Sequence, residues 1–142
     1  MRMKIKTTVI GLAFVLVLAG CSSNDANVAA CTEANTKLFN SRASMSELVG
    51  QDNQVSVLAS MAGIFTVLSG DFTRLAGSAS GDVSDELNSA ANAASEVSDA
   101  VTSLDDAATT EKMNALKAIV SENGTLDMAC QAVGSEAFST GW

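Results

Sequence analysis

A chain of 142 residues with 16 acidic and 8 basic side chains carries a formal charge of −8, and it contains no histidine and no tyrosine. Its length suits one domain built on one core. The negative balance sets it against nucleic acid and anionic lipid headgroups, and the missing histidine removes the commonest general base, zinc ligand and haem ligand.

The chain opens on positive charges alone, Arg2, Lys4 and Lys6, followed by an apolar run from Val9 to Ala19. That run is too short for a helix across about 30 Å of hydrocarbon, which takes roughly 20 residues. The order of charged, apolar and small residues is that of a secretory signal. At its end stand Leu18-Ala19-Gly20-Cys21, which resemble the lipobox of bacterial lipoproteins. The resemblance implies a diacylglyceryl group on the Cys21 sulfur, cleavage before Cys21, and a third acyl chain on the new amino terminus. Small residues at 19 and 20 let an extended chain enter a peptidase cleft, and only a thiol forms the thioether. An uncleaved anchor and an ordinary secretory signal are the alternatives. Two or three acyl chains, at about 0.8 kcal/mol per buried methylene, hold stably where one is marginal. Without a twin-arginine pair, the general secretory route is expected. The stretch Leu18 to Asn24 (LAGCSSN) is also similar to the same junction of the murein lipoprotein of enteric bacteria, without that family's strict coiled coil or its linking lysine.

The expected organisation is a leader over residues 1–20, a lipidated cysteine and short polar tether over 21–27, a helical domain over 28–138 and a tail over 139–142. Loss of the leader leaves 122 of the 142 residues and, with Arg2, Lys4 and Lys6 gone, moves the net charge from −8 to −11. It also leaves two cysteines, Cys31 and Cys130, besides the acylated one. An even remainder outside the cytoplasm reads as a disulfide. Closing a loop of about 100 residues is worth roughly 4–5 kcal/mol in the chain-entropy model. Two buried thiols or a redox pair are the alternatives, and no CxxC spacing supports the second.

The tether Ser22 to Asn27, if extended, reaches roughly 20 Å at about 3.5 Å per residue. Beyond it the signals are helical. Cys31, Ala34, Leu38, Met45 and Leu48 share one face of a first helix from Asn27 to Val49, which Gly50 stops. Asp52 or Asn53 then caps a second helix over Asn53 to Ala76. Leu58, Met61, Phe65, Leu68, Phe72 and Leu75 form its seam, and the apolar stretch Val57 to Leu68 marks it as the central, most buried helix. Gly63, Gly70 and Gly77 recur along one side of it. Glycine inside a helix costs about 1 kcal/mol relative to alanine, so a reason is required. Close approach by a neighbouring helix is the simpler one; a groove for a ligand or partner helix, with Ile64 and Val67, is the sharper.

After the loop Gly77 to Asp82, a third helix carries Val83, Leu87, Ala90, Ala94, Val97, Val101 and Leu104 at steps of three and four, a seam of coiled-coil type. Asp82, Asp85 and Glu86 at its start complement the helix dipole. Asp105 and Asp106 mark the next boundary. A fourth helix uses Met113, Leu116, Ile119 and Val120 and ends at Asn123-Gly124. Thr125 caps a short last helix with Leu126, Ala129, Cys130 and Val133, and Phe138 follows. The sum is an all-α, up-and-down antiparallel bundle of four to five helices, pinned by one disulfide.

Chemistry finds little purchase. There is no Gly-rich phosphate loop and no GxSxG motif; Asp105 and Asp106 diverge on a helix; and Lys37, Lys112 and Lys117 fall on polar faces. No catalytic residue, metal ligand or cofactor is expected. The expected function is a non-catalytic interaction or structural module of the cell envelope, held to membrane lipid through Cys21 on the outer face of the cell membrane or the periplasmic face of a Gram-negative one. It is expected to be monomeric, with an envelope protein as partner and no nucleic acid. One alternative is a carrier of small apolar ligands opening around Met61, Phe65 and Phe72, which needs a cavity of several hundred Å³. A hydrolase using surface carboxylates ranks last. In pattern, Val28 to Val133 resembles the small acidic helical lipoproteins of actinobacteria that pair cysteines from the two ends of the domain.

Overall fold

Freedom from proline and a wealth of alanine let long helices form, and polar residues between them supply the caps. The computed structural model describes the backbone of residues 6–142 and the side chains of residues 24–142. It contains α1 (Lys6–Leu48), α2 (Gln54–Ser78), α3 (Gly81–Thr102), α4 (Asp106–Val120) and a short α5 (Thr125–Ala132). No strand occurs among the described residues. Gly50, at φ 94°, ends the first hairpin arm. Asn53 accepts the Ser56 N–H at 3.2 Å to cap α2, and Asp105 accepts the Ala108 N–H at 2.9 Å to cap α4. Neighbours in sequence pack side by side, giving the expected up-and-down bundle. A disulfide joins Cys31 of α1 to Cys130 of α5 with 5.7 Å between their Cα atoms.

Four expectations change. The central helix is α3, which buries ten residues where α2 buries five. The cause is side-chain size. Ala90, Ala91, Ala93 and Ala94 thin α3 on several sides at once, so that α1, α2, α4 and α5 all reach it. Helix α2 keeps Phe65, Leu68, Phe72 and Leu75 in the core and leaves its other side uncovered. Its 25 residues include an 18-residue window of mean hydropathy 1.6, long and apolar enough to cross a membrane by length and composition. The twelve-residue apolar stretch understated that, because helix and hydropathy both continue past Leu68.

Second, Asn24 to Asn27 are helical and continuous with α1, not an extended tether. Asn27 is buried and accepts the Ser80 N–H at 2.9 Å, locking the start of the bundle to the α2–α3 turn. Third, the expected tail over 139–142 is the end of a strap that begins at Ser135 and packs on the bundle. Phe138 and Thr140 are buried, and the Trp142 indole donates to the Leu38 carbonyl at 2.9 Å with its ring edge-on to Phe65 at 6.0 Å. The seam of α3 also stops earlier than expected, since Leu104 lies beyond the helix and is exposed.

Candidate functional site

On α2 the residues opposite the core seam come to one exposed face. Gly63, Val67, Gly70 and Gly77 lie on it, and Ile64 sits half-buried at its margin. Val67 is 66% exposed. A Cβ built on Gly63, Gly70 or Gly77 meets no atom of the described residues within 4 Å. Close approach by a neighbouring helix therefore does not explain these glycines. The tight α2–α3 contact is made elsewhere, by hydroxyls. Ser69 donates to the Ala91 carbonyl at 2.8 Å, Ser98 donates to the Ala62 carbonyl at 3.0 Å, and Thr66 and Ser98 share a hydrogen bond of 2.9 Å. Helix-spanning serines leave no mark in a periodicity read from apolar residues alone.

Charge frames one end of this face. Arg74 pairs with Glu33 and lies 3.7 Å from Asp71, which Lys37 also approaches at 3.4 Å. The hydrogen bond to Glu33, then its charge, raises the Arg74 guanidinium above its ordinary value. On the far side Lys112 pairs with Glu96 at 3.0 Å, and that hydrogen bond, followed by the attraction of the same carboxylate, raises the ammonium. Lys37 and Lys112 thus lie on polar faces but are tethered to helices α2 and α3.

A groove of about 580 Å³ opens at the pole where α2 begins, α3 ends and α4 begins. Val55, Leu58, Met61, Val101 and Leu104 supply its apolar wall, and Asp106 stands at its edge. Met61 falls here as expected of an apolar cavity, but Phe65 and Phe72 do not, being fully buried in the core. A smaller cavity of about 260 Å³ lies between Met45, Met113 and Trp142.

Asp127 was not singled out by sequence. It is 1% exposed, accepts the Asn123 and Phe138 N–H groups at 2.8 Å each, and so fixes both the turn before α5 and the strap after it. Thr125 does not cap α5; the cap position is Gly124, and the Thr125 hydroxyl donates to Glu86 at 2.6 Å. Among the described residues no three His, Cys, Asp or Glu side chains gather as a metal site would require. Leu18, Ala19, Gly20 and Cys21 lie outside the described side chains. No protein-family model, curated protein or solved structure matches the chain.

Proposed function

We propose that the protein is a lipid-anchored, non-catalytic envelope module that presents the glycine face of α2 to another envelope protein. The observation that carries this reading is the open space over Gly63, Gly70 and Gly77. Each interior glycine costs about 1 kcal/mol relative to alanine, and no contact among the described residues repays it. A backbone left bare beside an exposed Val67 suits close approach by a second helix. The anchor rests on Leu18-Ala19-Gly20-Cys21 and the residues before them. Cys21 stands six residues before Asn27, a span of about 9 Å as helix. Gly77 lies at the same pole as Asn27, so the face runs outward from the membrane.

The test places a photocrosslinking residue at Val67 in the native host. A discrete envelope partner is expected, lost when Gly63 and Gly70 are both replaced by leucine and reduced when Cys21→Ala releases the protein from the membrane. Crosslinks indifferent to both changes would sink the reading. Mass analysis of the mature protein tests the anchor separately: an intact leader or an unacylated Cys21 refutes it.

A further inference from the structure

The groove at the pole away from Asn27 carries a feature that folding does not require. Past the end of α3, the Leu104 N–H donates to the Val101 carbonyl at 3.2 Å and the Asp105 N–H to the Ala100 carbonyl at 3.3 Å. This is a helix stop whose left-handed position is usually filled by glycine. Leu104 occupies it at φ 56°, a conformation that burdens any side chain with a Cβ. Its side chain buries little in return, remaining 70% exposed, and lines the groove together with Val55, itself 78% exposed. Strain combined with exposed apolar surface is a pattern of binding sites rather than of stabilising contacts.

The volume of about 580 Å³ falls within the range of small-ligand pockets. A helix is about 10 Å across, so even two turns of one would overfill it. The polar groups around the apolar wall include the neutral side chains of Gln54, Thr102 and Thr109. Among the described residues Asp106 is the one charged side chain lining the groove, and no described lysine or arginine lines it to receive an anion. We propose that this groove binds the alkyl chain of an uncharged or cationic amphiphile and turns away anionic ones, a function independent of the α2 glycine face.

The test uses the full chain and three dodecyl probes bearing a diazirine on the alkyl chain, with trimethylammonium, maltoside or sulfate heads, each below its micellar concentration. Labelled peptides are mapped by mass spectrometry. The ammonium and maltoside probes should label residues 54–62 and 101–109, with the sulfate probe weaker there by roughly five-fold or more. Leu104→Gly should raise the thermal midpoint by releasing the strained backbone, yet cut groove labelling by roughly five-fold. Labelling of residues 81–90, at the pole opposite the groove, serves as the internal reference. Equal labelling by the sulfate probe, labelling not concentrated at the groove, or labelling unchanged in Leu104→Gly overturns the proposal. So does a lowered midpoint in that variant, since the strain argument would then be wrong.

Discussion

Asp127 shows how one residue can hold two segments. Its carboxylate is buried and its two oxygens each accept one backbone N–H, from Asn123 and from Phe138. Hydrogen bonds to a charged group are worth about 1.5–3 kcal/mol each, and a buried donor left without a partner costs a similar amount. Asp127→Ala should therefore lose about 3 kcal/mol or more of unfolding free energy in urea titration, and Asp127→Asn, which keeps one acceptor, clearly less. Equal losses in the two variants would show that packing, not hydrogen bonding, sets the cost. The signal in the sequence was present but ambiguous. An acid in a first helical turn is ordinary dipole chemistry, whereas its spacing of three from Cys130 puts it beside the core. Gly124 is a second such position. A Cβ there would lie 2.5 Å from the Ile119 carbonyl oxygen, a backbone atom that cannot swing away. Gly124→Ala should cost about 1–3 kcal/mol, as overpacking does, and the same denaturant titration reads it.

At the scale of helices the glycines of α2 predict the opposite sign. With open space over Gly63 and Gly70, alanine at either position should raise stability by about 0.5–1 kcal/mol. Thermal unfolding of the single and double variants checks this; a fall would mean that a neighbour contacts the face after all. The same contrast shows what was legible. Apolar spacing located the seams of α2 and α3 correctly through Leu75 and Val101, because burial on one face imposes the helical period. Sequence narrowed the α2 cap to Asp52 or Asn53 and placed a boundary at Asp105 and Asp106, since short polar side chains before a periodic run suit caps; the structure selects Asn53 and Asp105. Periodicity does not count neighbours, however. It marked α2 as central for its hydrophobicity, when the thin alanine surface of α3 is what admits four other helices. Nor could it seat Trp142 on Leu38, 104 residues away along the chain, and on Phe65. Of the groove, only Met61 carried a signal. Val55 on α2, Leu104 in the turn after α3 and Asp106 on α4 meet only once those helices are packed.

Over the whole molecule, the Cys31–Cys130 link and the charge distribution act on stability in different ways. The link closes nearly the entire domain, with 99 residues of separation, so the chain-entropy model assigns it about 4–5 kcal/mol. Small domains have only about 5–15 kcal/mol in total. Cys31→Ser with Cys130→Ser should thus bring the bundle close to unfolding at 37 °C, with α5 and the strap over Trp142 opening first. Loss of the indole's asymmetric environment in near-ultraviolet circular dichroism, before loss of helix signal, would report it. Simultaneous loss of both signals would argue against a separately weakened α5.

The charges impose a different pattern. The raised groups are Arg74 and Lys112, each held up chiefly by its hydrogen bond to a glutamate. A cation raised in the folded state contributes its full stability below its unfolded value and loses that contribution as pH rises through the folded one. For Lys112 the ordinary value is 10.5, so the loss belongs to strongly alkaline solution, and for Arg74 it lies higher still. With no histidine in the chain, no side chain of ordinary pKa titrates between about pH 6 and 8. Unfolding free energy should accordingly be nearly flat over that interval. Lys112→Met should leave the flat region flat and displace only the limb above about pH 10. Because the Lys112–Glu96 pair is exposed to solvent, that displacement should be small and should shrink further in high salt. A midpoint that moves near pH 7 would require a carboxylate shifted far above its ordinary range.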